Sequence, residues 1–276
     1  MDTQKIKAHE IEEMNYTDFI AFLSETNRCP GGKNTIRRIR EVLHIDINTK
    51  ILDVGSNTGF TSLELARITP ASIQGIDVSE ACVEEANLYL NKESESLRSR
   101  VNFQVASAYN IPFLDEEFNL LMVGGATSFM EEKKRALDEY FRVLKPWGFL
   151  VSSPLAYHTK PPADLVQKVG NLIDVQIEPM MVGEWSKKVV EEVEGFEIYL
   201  EESYTLSSRT KEEIDLYVEY FLSKEHIKEL SDDVKSAIRK RWADTLSIFN
   251  ENHKYLSYDL VFFRKRPMVE EPELFI

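Results

Sequence analysis

The chain has 276 residues, 43% of them hydrophobic and 29% charged, enough for one large α/β domain with additions and a substantial core. A net charge of -14 repels polyanions, which argues against nucleic acid as a partner. No apolar run reaches bilayer length, Met1 to Glu13 is charged rather than signal-like, and Cys29 and Cys82 lack metal-ligand spacing. These features predict a cytoplasmic protein with reduced thiols, no membrane partner and no bound metal.

Residues 1–48 read as helical. Ile36, Ile39 and Leu43 form an apolar stripe at helical spacing, with Arg37, Arg38 and Arg40 on the other faces. Before them, Asn27 to Asn34 is a glycine-containing turn that feeds a helix amino terminus. Such a terminus attracts anions, with Arg28 or Lys33 assisting; a plain N-cap with solvated basic residues is the equal alternative. This region is expected to act as a helical lid, with Tyr16 among the aromatic residues that could line a pocket.

The segment Ile51 to Phe60 runs from an apolar strand through Asp53 and Gly55 into a helix, and Ile73 to Asp77 is a second apolar strand ending in an acid. That is the layout of a nucleoside-binding βαβ unit, in which the second acid accepts ribose hydroxyls. A dinucleotide fingerprint would need glycines at positions 57 and 60, where the chain has Asn57 and Phe60. Without the second glycine the backbone cannot approach a pyrophosphate closely. S-adenosylmethionine has the same adenosine, no phosphate, and a cationic amino-acid end suited to Asp53 and Asn57.

Strands and helices alternate from Lys50 to Ser153, with helices expected over Ala81 to Leu90 and Glu132 to Val143. Such alternation implies a parallel sheet covered on both faces, with ligands beyond the carboxyl ends of the strands. Gly55, Asp77, Ser107, Gly124 and Pro154 then surround one crevice. The missing side chains of Gly124 and Gly125 would let backbone approach a ligand, a tight turn being the alternative.

Five ordered stretches carry a family resemblance: Ile51 to Phe60, Asp77, Val101 to Ala108, Ile111 to Val123, and Arg142 to Val151. The chain resembles the class I S-adenosylmethionine-dependent methyltransferases from about Thr49 to Ser153. The resemblance implies a doubly wound, mostly parallel, seven-stranded Rossmann-like α/β sheet, with N-terminal helices and a helical insertion before the last strand. It implies S-adenosyl-L-methionine as cofactor and S-adenosyl-L-homocysteine as product. It assigns cofactor contacts to Asp53, Gly55, Ser56, Asn57, Gly59, Asp77, Val78, Ser107 and Ala108, to which the glycine reading above adds Gly124 at the methionine end and the anion reading adds Arg28 at the carboxylate. Two positions depart from the family pattern. Asn57 replaces the middle glycine of the first motif, and Ser107 stands where many members have an aspartate that holds the adenine amino group.

After Ser153 the pattern changes. Phe196 to Leu206 and Tyr255 to Phe263 read as strands about fifty residues apart. Thr210-Lys211-Glu212-Glu213 fits a capping box before Ile214, Tyr217, Val218 and Phe221. Val234, Ile238, Trp242 and Phe249 mark another helix. The expected organisation is a lid over 1–48, a cofactor core over 49–153, a C-terminal part of the sheet over 154–266 with a helical insertion at about 207–252, and a loose tail over 267–276.

Methyl transfer is an in-line displacement governed by positioning, with a base needed for a hydroxyl or protonated amine. Of five histidines, His158 directly follows the fifth strand and is the candidate base, a packing or surface histidine being the alternative. Tyr16, Thr127, Tyr157 and Trp185 are the candidate acceptor contacts, with core packing the competing role for the aromatic ones. The expected activity is methylation of a nitrogen or oxygen atom of a small molecule. The rivals are a non-catalytic binding module and a protein side-chain methyltransferase.

Overall fold

The computed structural model describes residues 6–26 and 28–267, without the side chains of 128 and 129. The expected tail beyond residue 267 and Asn27 of the N-terminal turn lie outside the described residues. In chain order the elements are α1 (Ala8–Glu13), α2 (Tyr16–Phe22), α3 (Lys33–Val42), β1 (Lys50–Val54), α4 (Phe60–Ile68), β2 (Ser72–Asp77), α5 (Glu80–Leu90), α6 (Glu95–Arg98), β3 (Val101–Val105) and β4 (Phe118–Val123). A 3-10 turn (Ala126–Phe129) follows, then α7 (Lys133–Val143), β5 (Leu144–Ser152), β6 (Leu155–Tyr157), α8 (Ala163–Ile173), α9 (Glu184–Glu192) and β7 (Phe196–Thr205). Last come α10 (Lys211–Leu222), α11 (Glu225–Lys228), α12 (Asp232–Asn252) and β8 (Leu256–Lys265).

The sheet has eight strands in the order β3-β2-β1-β4-β5-β8-β6, with β7 also paired to β8. Strands β3, β2, β1, β4 and β5 are parallel to their neighbours, and β8 runs antiparallel to β5. Four of the five residues of β1 and five of the six of β4 are buried, as two-sided cover by helices requires. The sequence predicts seven strands. The additional one is β6, whose three residues are too few to carry a period-two signal.

The chain separates into two compact units. One comprises Thr26–Ala156, Val182–Tyr204 and the residues from Tyr258 onward. Its core gathers Ile36 and Ile39 of α3, Ile51 of β1, Leu65 of α4, Ile73 of β2, Phe103 of β3, Met122 of β4 and Phe262 of β8. The amino terminus of α9 is fastened here: the Gly183 N–H donates to Asp259 Oδ2 at 3.0 Å, and Ser203 Oγ donates to Asp259 Oδ1 at 2.6 Å.

The other unit comprises the described residues up to Glu25, Tyr157–Met181 and Thr205–Ser257. It is helical, built from α1, α2, α8, α10, α11 and α12. Trp242 of α12 meets Phe19 and Phe221 edge-on at 6.0 and 5.8 Å, with Ile11, Leu23, Ile227 and Ile238 completing the core. The capping box at Thr210 and Glu213 forms at the start of α10. The stretch 1–48, taken from sequence as one N-terminal part, therefore divides. The α3 stripe belongs to the sheet unit, where Ile36 and Ile39 are almost fully buried, while α1 and α2 join the helical unit. Among the described residues no helix is long and apolar enough to cross a membrane.

Candidate functional site

The carboxyl ends of β2, β1 and β4 lie side by side in the sheet unit. Between β1 and α4 the backbone makes a compact turn. The Gly55 and Ser56 N–H groups both donate to the Ile76 carbonyl, at 2.9 and 3.0 Å, and tie the turn to β2. Gly55 has φ +70°, and a Cβ there would lie 2.7 Å from Ala126 Cβ, so only glycine fits. Asn57 adopts φ +47°. Asparagine is one of the few non-glycine residues that tolerates this region, which is how the turn survives without the middle glycine. Its side-chain Oδ1 accepts the Thr58 N–H at 2.8 Å.

Asp77, at the end of β2, grips this turn. Its Oδ2 accepts the Asn57 N–H and its Oδ1 the Ser79 N–H, both at 2.9 Å. Each carboxylate oxygen has a second lone-pair site, so the group can also accept hydroxyl protons from a ligand. Ser56 Oγ and Thr58 Oγ1 in the same turn are buried and have no hydrogen-bond partner. Buried hydroxyls of this kind call for an explanation.

Asp53, near the end of β1, is almost wholly buried and accepts the Ser62 hydroxyl of α4 at 2.7 Å. Burial pushes its carboxyl up to about 7, against the lowering effect of the Ser62 hydrogen bonds, with a further rise from the Asp77 charge. Cys29 closes the same region; a Cβ on Gly124 would stand 3.7 Å from Cys29 Cβ, an ordinary contact. Burial pushes the Cys29 thiol up to about 12, so it is a neutral packing group and not a thiolate. Ser62 and Cys29 were not singled out from the sequence. Ser62 is a small polar residue in the second half of an ordinary strand-turn-helix, and its meeting with Asp53 is visible only in three dimensions.

Ser107 follows β3 and accepts the Tyr109 N–H at 3.1 Å, shaping a turn that buries Ala108. Val78 stands 72% exposed just beyond Asp77, with Val105 at the end of β3 52% exposed. These two apolar side chains flank the ends of neighbouring strands without covering each other. Arg28 is exposed, its guanidinium 5.7 Å from the centre of the Phe60 ring. Lys33, the alternative anion partner, is paired with Glu64 at 3.2 Å.

The structure thus brings Asp53, Gly55, Ser56, Asn57, Gly59, Asp77, Val78, Ser107, Ala108, Gly124 and Arg28 into one unit. The expected acceptor contacts scatter. Thr127 is buried with its hydroxyl 3.0 Å from the Tyr140 hydroxyl, and Trp185 is buried with its indole N–H donating to Ser152 Oγ at 2.9 Å. Both are committed to the protein's own packing, because their polar atoms have found internal partners. Tyr16, Tyr157 and His158 belong to the helical unit. Tyr16 packs edge-on against Phe249 at 5.9 Å, Tyr157 donates to Asn252 Oδ1 at 3.2 Å, and the exposed His158 has its Nδ1 3.0 Å from Ser257 Oγ.

A family model for a methyltransferase domain matches residues 52–152, the stretch that carries β1 to β5 and the turn just described. The fold is similar to that of a crystal structure described as MccD protein, at a TM-score of 0.74 and 25% identity, covering 87% of this chain and 100% of that one. Residues 52–152 thus carry a methyltransferase domain. Among curated relatives it is 38% identical over 109 residues to a ubiquinone/menaquinone biosynthesis C-methyltransferase of Geotalea daltonii (strain DSM 22248 / JCM 15807 / FRC-32), a match covering 38% of this chain and 44% of the relative. It is 29% identical over 168 residues to an O-methyltransferase of Aspergillus sclerotiorum, covering 59% of this chain and 62% of the relative. The chain therefore spans only about half the length of these curated relatives.

The cofactor of this enzyme family is S-adenosyl-L-methionine, and the residues present fit it. Asp77 has acceptor capacity left for a diol, two buried hydroxyls in the turn lack partners, and Asp53 is a buried carboxylate for which a cationic ligand would be a partner.

Proposed function

We propose that the chain moves a methyl group from S-adenosyl-L-methionine to a nitrogen or oxygen atom of a small-molecule acceptor by in-line displacement. The observation that carries this reading is Asp77, whose carboxylate fastens the Gly55–Gly59 turn through the Asn57 N–H and retains lone pairs for a ribose. When bound, the cofactor supplies an electrophilic methyl group on a sulfonium.

The protein's own part is placement. Asp77 accepts the ribose hydroxyls, and Val78, Ser107 and Ala108 bound the adenine. The backbone of Gly55, Ser56, Asn57, Gly59 and Gly124 would hold the amino-acid end, with Arg28 a partner for its carboxylate and Asp53 a partner for positive charge. Thr127 and Trp185 act indirectly, by holding the segments after β4 and at the end of β5. A hydroxyl acceptor would need a base, and the candidate is His158, whose Nδ1 lies 3.0 Å from Ser257 Oγ, leaving its other ring nitrogen for a proton. A neutral amine acceptor would not require it.

The net charge of -14 supports a small molecule over a nucleic acid. The test is incubation with methyl-labelled cofactor and a small-molecule extract, followed by isolation of labelled products. Label on oxygen or nitrogen of a small compound supports the reading. Label on carbon corrects the acceptor atom, label on protein corrects the acceptor class, and absence of turnover with cofactor bound points to a non-catalytic module.

A further inference from the structure

Asp53 is more deeply buried than a contact to a flexible ligand needs. It is 2% exposed, its carboxylate accepts one hydroxyl, that of Ser62, and among the described residues it has no ion-pair partner. The groups around it supply no positive charge. Its neighbour in β2 is Gly75 and in β4 is Met122. From α4 comes Ser62, from the loop before α3 the neutral Cys29 thiol, and from the end of β2 the like charge of Asp77. Lys33 is engaged with Glu64, and Arg28 rests over Phe60. An ionised carboxylate in such surroundings is costly unless a cation arrives or a proton binds.

The strand order then decides which cation. The ends of β2, β1 and β4 are consecutive, spaced about 4.8 Å apart as neighbouring strands are. On the cofactor reading, a ligand with its ribose at Asp77 on β2 and its amino acid over Gly124 on β4 would carry its sulfur across the end of β1, nearest Asp53, and its ammonium toward β4.

We propose that Asp53 reads the charge on sulfur: it is ionised when the cationic cofactor is bound and keeps its ligand-free proton affinity when the neutral thioether product is bound. This rests on the cofactor reading given above. On transfer the carbon–sulfur bond breaks, its electron pair stays on sulfur, and a carbon–acceptor bond forms. The sulfonium becomes a neutral thioether, and Asp53 takes a proton from solvent. Cofactor binding releases that proton again. The pair Asp53–Ser62 is thereby a specificity device that favours cofactor over product.

Isothermal titration calorimetry of the full chain, in buffers of different ionisation enthalpy between pH 6 and 8, counts the protons. S-adenosylmethionine is expected to release close to one proton at pH 6 and almost none at pH 8, and S-adenosylhomocysteine none at either. With the carboxyl at about 7, the affinity ratio of cofactor to product should rise about tenfold across that window. The Asp53→Asn variant, which meets the same ligand ionisations, should lose the difference. Ser62→Ala, by removing a bond that favours the ionised carboxyl, should move the inflection to higher pH. Equal proton release with both ligands would overturn the proposal, because the ammonium common to both would be the charge being read. Release that persists in Asp53→Asn would overturn it as well. Binding of neither ligand would instead refute the cofactor reading itself.

Discussion

Replacing Asp77 tests two roles at once. The wild-type carboxylate holds the Asn57 and Ser79 N–H groups, each at 2.9 Å, and is proposed to hold the ribose diol on its remaining lone pairs. Hydrogen bonds to a charged group contribute about 1.5–3 kcal/mol each. In Asp77→Ala the two ribose bonds vanish and the turn is released, so cofactor binding should weaken by about 3 kcal/mol or more, a factor of at least about 100 in Kd. Asp77→Asn keeps the shape and one carbonyl acceptor but turns an NH2 group toward one of the backbone donors, and about a tenfold loss is expected. The fold should respond less than the binding, since Asn57 and Ser79 lie near solvent. A melting-temperature drop of a few degrees corresponds to the loss of about 1 kcal/mol in a domain of this size. Calorimetric titration gives the affinity, and circular dichroism melts separate it from unfolding. An Asp77→Ala affinity within twofold of wild type, with the fold intact, would mean that the ribose is held elsewhere and that Asp77 is only a turn fastener.

Three other expectations follow from the same geometry. The Asp53 carboxyl sits at about 7 in the folded chain against roughly 4 when unfolded, so the folded state holds the extra proton and stability falls as pH rises from 4 to 7. The ligand-free Asp53→Asn variant should therefore melt above wild type at pH 8, by at most about 4 kcal/mol of stability, with the gap closing toward pH 4; equal melting at both pH values would contradict the burial argument. Gly31 has φ +76°, and a Cβ there would fall 2.2 Å from both Thr35 Oγ1 and the Tyr258 hydroxyl. Gly31→Ala should cost about 2–3 kcal/mol in urea unfolding, and a neutral result would show that Tyr258 moves aside freely. Ser107→Asp supplies a charged acceptor for the adenine amino group and should tighten cofactor binding by about 1 kcal/mol, a roughly fivefold lower Kd; an unchanged Kd would mean that the adenine lies away from β3.

The strand-turn-helix that carries the proposed cofactor contacts is legible in the sequence because its signals are local. Gly55, Asn57 and Gly59 sit within one turn, and the spacing from Asp53 to Asp77 is that of one strand-helix-strand unit. Helix α10 announced itself through the Thr210 and Glu213 capping box, and α3 through Ile36, Ile39 and Leu43. The rest depends on contacts between distant residues. Ser62 and Cys29 become neighbours of Asp53 only once α4 and the loop before α3 cover β1. Asp259 reads as an ordinary polar residue of a strand, yet it is fully buried and caps α9 through Gly183, 76 positions away. The division of 1–48 was hidden for a similar reason: α1, α2 and α3 are all amphipathic, and amphipathicity does not say which partner a stripe will meet. Thr127 and Trp185 show the same ambiguity, since polar-tipped side chains suited to a pocket are equally suited to bonding Tyr140 and Ser152.

The most direct test of the account is a crystal structure of the chain grown with S-adenosylhomocysteine. The ribose hydroxyls should lie within hydrogen-bond distance of the Asp77 carboxylate, the thioether sulfur above the end of β1, and the amino-acid end beside Gly55 and Gly124. Nucleoside density in any other cleft, or a turn whose Gly55 and Asn57 leave no room for the ligand, would contradict it.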